Sequence, residues 1–139
     1  MRNKLINKIK SYDSINLQTT KKPDTDGDIM DIAFKDVVTA SQSSTIIEIA
    51  NLMSQKDIRR IPITDPGSGK LLGIVTTMDI LDFFGGGKKY NLITDKHQGN
   101  FLSAINAPIK EIMTNGVKTM SNKDTIIDAA TLMLEEGIG

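Results

Sequence analysis

The chain has 139 residues, 39% of them apolar and 24% charged, with 17 basic against 17 acidic side chains and no formal net charge. That balance describes a globular protein without the field that draws nucleic acid or a membrane surface. The lack of cysteine and the single histidine, His97, exclude disulfides, thiolate chemistry and multi-histidine metal sites.

No apolar run reaches the ~20 residues that span a bilayer. The N-terminus lacks the apolar core of a signal peptide, so a cytoplasmic protein is the default expectation. Residues 1–12 place Leu5, Ile6, Ile9 and Tyr12 at helical spacing among Lys4, Lys8 and Lys10. This reads as a short amphipathic helix that packs on a neighbour or frays, in preference to a membrane-surface helix. Ser11 to Asp28 is polar and reads as a mobile linker, so residues 1–28 form an N-terminal extension. Its alternating Asp24, Asp26 and Asp28 suggest a calcium loop. The pattern fails, because Ile29 stands where glycine is required and Lys35 where glutamate is required.

Residues 29–84 read as one β-α-β-β-α unit. Ile29 to Phe34 is a helical turn, and Val37-Val38-Thr39 a short strand. Ser43 or Ser44 caps a helix with Glu48 in its first turns. Ile46, Ile49, Ala50 and Met53 form the apolar face of that helix, widened by Ile47 and Leu52. Arg60 to Thr64 is a strand in which Pro62 indicates an edge or a start. Asp65-Pro66-Gly67-Ser68-Gly69-Lys70 is a turn by its chemistry. Leu71 to Val75 is apolar enough to be buried on both faces, and a helix runs from about Thr77 to Phe84. At this last junction, Thr76 and Asp79 stand beside free backbone N–H groups. The geometry suits a ribose and a phosphate, and equally an ordinary N-cap.

Residues 85–108 form a connector. Gly85-Gly86-Gly87 stops the helix, and a second helix runs roughly from Asn91 to Ile105. The glycines beside Lys88 and Lys89 lack phosphate-loop spacing and read as a helix stop with a flexible link. His97 reads as a surface or linker residue, with no carboxylate–nucleophile set around it. Met53, Met78, Met113 and Met133 sit at core spacings and read as packing residues.

An internal repeat organises the chain. At an offset of 80 residues, Val37-Val38-Thr39-Ala40-Ser41 lies over Val117-Lys118-Thr119-Met120-Ser121. Thr45-Ile46-Ile47 and Leu52-Met53 recur as Thr125-Ile126-Ile127 and Leu132-Met133. The second copy, residues 109–139, stops where Arg59 stands in the first, before the two later strands and their helix. A half unit leaves an apolar helix face and a sheet edge open. The chain is therefore expected to be part of a longer protein, or to be covered by a second copy or another partner.

The β-α-β-β-α order, Ile61-Pro62-Ile63-Thr64-Asp65 before a glycine turn, and Gly73-x-x-Thr76-x-x-Asp79 resemble the CBS-domain family. The connector, with Asn100-Phe101-Leu102 and Ala104-Ile105-Asn106, is similar to that of archaeal four-repeat CBS proteins related to the gamma subunit of the AMP-activated protein kinase. The resemblance implies an α/β (α+β) fold of tandem repeats that pair as a Bateman module, with adenine nucleotides between them. By family pattern, Asp79 accepts the ribose hydroxyls, Thr76 bonds ribose or phosphate, and Arg59 and Arg60 reach phosphates. Adenine falls to the region of Val117 and Lys118 with Ile138 and Gly139. The mirror site would use Val38 and Ile58. Each residue keeps a plain competitor: Asp79 as a helix-start carboxylate, Thr76 as a cap, the arginines as solvated cations.

The resemblance implies a regulatory module for AMP, ADP or ATP, with S-adenosylmethionine a weaker candidate, and no cofactor. The alternative is a dimerisation module without a physiological nucleotide. The sequence offers no metal cluster, nucleophile–base set or basic aromatic stripe, which argues against an enzyme and against nucleic acid as a partner.

Overall fold

A computed structural model describes residues 27–138. Its elements in chain order are β1 (Ala40–Ser41), α1 (Ile46–Lys56), β2 (Arg60–Thr64), β3 (Leu71–Thr76), α2 (Thr77–Phe84), α3 (Asn91–Asp95), α4 (Phe101–Ile105) and α5 (Ile126–Glu136). Short 3-10 turns stand at Ile29–Asp31, Lys88–Tyr90 and Ile109–Glu111. Two compact units result. Residues 37–118 form one, and among the described residues 27–36 and 119–138 form the other.

In the larger unit, β1 pairs in parallel with β2, which needs the crossover that α1 supplies, and β2 pairs antiparallel with β3. The β2–β3 turn is built on Asp65. Its Oδ1 accepts the N–H groups of Gly67 and Ser68 at 3.2 and 2.8 Å and the Ser68 hydroxyl at 2.8 Å. Alternation along the strands buries Ile61 and Ile63 of β2 and Gly73 and Val75 of β3. Against that face pack Ile46, Ile49 and Met53 of α1, Ile80 and Phe83 of α2, and Ile93, Ala104, Ala107, Ile109 and Ile112 from the connector and the turn beyond it.

Pro62 sits in the middle strand and disrupts nothing. Its partner Ile74 donates its N–H to Thr114 at 2.9 Å and accepts the Thr114 N–H at 2.8 Å, so Pro62 and Ile74 form a non-hydrogen-bonded pair. On the other side, β1 reaches only Ile63 and Thr64, so the missing N–H of Pro62 has no ladder partner to deprive. The Thr114 backbone thereby adds a fourth position to the sheet. Gly73 permits it: a Cβ there would lie 2.7 Å from the Thr114 carbonyl oxygen and 2.9 Å from Met113 Sδ. Gly73→Ala is expected to lower stability by about 1–3 kcal/mol through this forced displacement, read as a fall in the urea midpoint. An unchanged midpoint would contradict the close approach.

The start of α1 is held by a segment distant in sequence. Ile46 donates its N–H to the Ala107 carbonyl at 3.0 Å, and Ile109 donates to the Ser44 carbonyl at 2.7 Å. In the smaller unit, Ile126 donates to Gly27 at 3.2 Å and Ile29 to Asp124 at 3.1 Å. Shifted by 80 residues, these are the same bonds with the repeats exchanged. Each repeat's entry turn therefore grips the helix of the other repeat, and each compact unit combines segments of both.

Local corrections to the sequence reading have physical causes. Thr45, one residue beyond Ser44, is the cap of α1: its hydroxyl accepts the Glu48 N–H at 3.2 Å while Glu48 accepts the Thr45 N–H at 2.7 Å. The first strand forms at Ala40–Ser41, with Val37 to Thr39 unpaired before it. The expected helix from Asn91 to Ile105 breaks at Gln98 and Gly99, both at positive φ, and Asn100 caps the second piece by accepting the Ser103 N–H at 3.0 Å. β3 is buried on one face, with Leu72 and Ile74 only half-buried. Met53 is 5% exposed, but Met78 is 69% and Met133 43% exposed, so these two are not core. In α5 no residue is buried, whereas the matching helix α1 buries Ile46, Ile49 and Met53. The expected N-terminal helix and most of the aspartate-rich linker lie outside the described residues.

Candidate functional site

The site expected at Thr76 and Asp79 forms where β3 runs into α2. Thr76 is the N-cap: its hydroxyl accepts the Asp79 N–H at 3.3 Å and donates to Asp79 Oδ2 at 2.8 Å. The same Oδ2 accepts the Thr76 N–H at 2.7 Å. Both residues are half-buried. The pair is thus a capping box, and Thr-x-x-Asp alone is not distinctive. Thr125 and Asp128 build the same box at the start of α5, with N–H bonds of 2.9 and 3.1 Å.

What sets the first box apart is its surroundings. Asp79 Oδ1 is bonded to the Lys89 ammonium, which also donates to the Ile112 carbonyl. Asp79 keeps 14% and Lys89 27% side-chain exposure. A carboxylate that caps with one oxygen and holds a cation with the other, at a partly screened surface, can exchange that cation for other donors. Sequence reasoning missed Lys89, which lies ten residues away beyond a glycine run. Nothing in the local pattern marks it.

Arg59 and Arg60 lead into the same junction by their backbone. The Arg59 carbonyl accepts the Thr77 N–H at 3.0 Å, and Arg60 opposes Thr76 across the strands. Both are exposed. Arg59 and Ile58 line a different feature, a groove of about 410 Å³ between α1 and α2, with Ala50, Met53, Ile80 and Leu81. That volume suits a small ligand. The lining is mainly apolar, however, and neither Thr76 nor Asp79 belongs to it. Ile58 donates its N–H to Met53 at 3.0 Å, and Ile138 repeats this bond to Met133 at 3.0 Å. Val38 and Val117 are half-buried and Lys118 is exposed in the larger unit. Ile138 is exposed in the smaller one, and Gly139 lies outside the described residues.

His97 is not the isolated linker residue expected. Its Nε2 lies 3.1 Å from Glu111 Oε2 and its Nδ1 3.3 Å from Ser103 Oγ, while Lys96 Nζ lies 2.8 Å from Glu111 Oε1. The set clasps the connector to the second entry turn, with Glu111 shared between the Lys96 ammonium and the His97 ring. Burial pushes the Glu111 carboxyl up, but hydrogen bonds from Lys96 and His97 and the nearby charges outweigh it and hold it below the ordinary 4.5. A depressed acid contributes stability that is present above its unfolded pKa and lost as pH falls through its folded one. Thermal stability is therefore expected to fall more steeply on acidification below about 4.5 in the wild type than in Glu111→Gln. Parallel profiles would contradict the clasp. Among the described residues, no group of three or more His, Asp or Glu side chains is placed to hold a metal.

Residues 28–86 match the family model described as CBS domain. Protein MJ1225 from Methanocaldococcus jannaschii is 43% identical over 105 residues, which cover 76% of this chain and 38% of that protein. Its crystal structure, presented as that of a candidate archaeal homolog of g-AMPK, superposes with a TM-score of 0.76 over 80% of this chain and 40% of that one. The CBS domain pair of protein MJ0100, solved with 5'-methylthioadenosine and S-adenosyl-L-methionine, gives a TM-score of 0.58 at 29% identity over 78% of this chain and 72% of that one. An L-aspartate semialdehyde sulfurtransferase from M. jannaschii is 29% identical over 108 residues, 78% of this chain but 17% of its own length. The chain thus spans about two fifths of MJ1225. The β-α-β-β-α order of residues 40–84, its mixed sheet and these likenesses lead to one conclusion: this chain carries a CBS domain at residues 28–86.

Proposed function

We propose that this chain is a regulatory module that binds an adenine nucleotide or a related adenosyl compound at the β3–α2 junction and transmits occupancy to a partner protein or domain. The observation that carries this reading is the Asp79 carboxylate, half-buried at a helix start, with one oxygen committed to the cap and the other held only by a cation. Asp79 would accept ribose hydroxyls and Thr76 would bond ribose or phosphate beside the helix N-terminus. Arg59 and Arg60 would reach phosphate. Val117, Lys118, Ile138 and Gly139 would supply the adenine wall, and Val38 and Ile58 its mirror. The methylthioadenosine and S-adenosylmethionine in MJ0100 support an adenosyl ligand, and widen the field beyond AMP, ADP and ATP.

The repeat assignments, residues 29–84 and 109–139, belong to this proposal. So does a second copy or partner that covers α5 and the residues after it, where Ile127, Met133 and Ile138 are 36%, 43% and 49% exposed. The enzymatic name of the sulfurtransferase belongs to a whole protein of which this chain matches 17%, and a regulatory role asks for no catalytic residue here. No helix among the described residues is long and apolar enough to cross a membrane; cytoplasmic placement is part of the proposal. The test is calorimetric titration of AMP, ADP, ATP and S-adenosylmethionine. Saturable binding by one of them supports the module, and no heat from any with a folded sample overturns it.

The exposure of Met78 and Leu81, 69% and 60% on α2, favours a second reading, an interaction module whose helix face docks another protein. A sample that associates through this face and binds no adenosyl ligand would support that reading over the first.

A further inference from the structure

Lys89 is not a loose surface lysine. The Asp82 carboxylate accepts the backbone N–H groups of Lys88 and Lys89 at 3.1 and 2.8 Å, which fixes the chain immediately after the glycine run. Gly87 makes this possible, since a Cβ there would stand 1.8 Å from Asp82 Oδ1. The connector is thus folded back on α2 at this point, contrary to the flexible link expected from the glycines. Its ammonium is delivered to two acceptors, Asp79 Oδ1 and the Ile112 carbonyl.

A carboxylate offers about four acceptor positions. On Asp79, Oδ2 already receives the Thr76 N–H and hydroxyl, at 2.7 and 2.8 Å, and Oδ1 receives Lys89. One position is left. A ribose diol brings two hydroxyl donors, and a 2'-deoxyribose brings one. We propose that Lys89 is an internal competitor for the ribose diol at Asp79. A ligand with both hydroxyls must expel the ammonium from Oδ1, whereas a ligand with one need not. Lys89 thereby lowers the affinity for ribonucleotides and compresses the site's discrimination between ribose and deoxyribose. This rests on the Asp79 site proposed above.

The test compares AMP with 2'-deoxy-AMP by calorimetry on wild type and Lys89→Met. The expected result is AMP binding about tenfold tighter in the variant, with 2'-deoxy-AMP changed by less than about twofold. Both ligands carry the same phosphate, so the loss of a positive charge cancels in their ratio. Weaker AMP binding, or equal shifts for both ligands, overturns the competitor while leaving the site intact. Binding by the variant alone supports both ideas, and no saturable binding by either protein overturns both. Should Lys89→Met fail to fold, wild type supplies the readout through amine acetylation followed by mass spectrometry. Saturating AMP is expected to raise Lys89 labelling as the ammonium is released, and unchanged or reduced labelling overturns the proposal.

Discussion

Asp79→Asn is expected to reduce affinity for the adenosyl ligand about a hundredfold while leaving the chain folded. The magnitude follows from two hydroxyl donors losing a charged acceptor, at about 1.5 kcal/mol each, or about 3 kcal/mol together. Asparagine is more informative than alanine. Its amide oxygen can still accept the Thr76 N–H that Asp79 Oδ2 holds at 2.7 Å, so much of the cap survives. Alanine removes the cap as well, adding a stability loss of about 1 kcal/mol that mixes folding with binding. Calorimetry beside a thermal melt separates the two. An Asn variant that binds as tightly as wild type would reduce Asp79 to a helix cap, the role its counterpart Asp128 already fills at Thr125.

Phe83→Ala carries the largest expected loss of stability, about 3–5 kcal/mol. Phe83 is 0% exposed and lies in the same core as Ile49, Val75 and Ile109, joining α2 to α1, the sheet and the second entry turn. Its ring also meets Phe84 edge-on at 5.2 Å and 66°. Truncation leaves a cavity that elements tied together by backbone bonds cannot close. Since domains of this size hold only about 5–15 kcal/mol, the variant should unfold at a much lower urea concentration with an unchanged slope. A loss below about 1 kcal/mol would mean that the surroundings collapse into the space, and so that this core is softer than its packing implies.

Much of this fold was legible because local chemistry and tertiary need agree along β2, β3 and α2. Alternating isoleucines, an aspartate–proline–glycine turn and a threonine cap all point the same way there. The 80-residue offset shows again in backbone bonds, Ile46 to Ala107 and Ile126 to Gly27, but not in burial, since α1 buries three residues and α5 none. The failures share another cause. Thr45 is the cap because α1 starts at Ile46, where the chain is held by the Ile109–Ser44 and Ile46–Ala107 backbone bonds, contacts made across some sixty residues of chain. The break falls at Gln98 and Gly99, both at positive φ, next to His97, whose ring meets Glu111 beyond the connector. Lys89 reaches Asp79 only because Asp82 and Gly87 turn the connector back. A reading of neighbouring residues could find the carboxylate of the candidate site, but not the cation that sits on it.

The groove between α1 and α2 offers a rival position for a small ligand, and it shares Thr77 with the end of the junction but neither Thr76 nor Asp79. The most direct measurement is therefore an amide-resolved NMR titration of the wild-type chain with AMP and with S-adenosylmethionine. Saturable shifts at Thr76, Asp79 and Lys89 with at least one of these ligands are the predicted result. Shifts confined to the groove residues Ala50, Ser54 and Leu81, or none at all, would contradict the assignment of ligand binding to the β3–α2 junction.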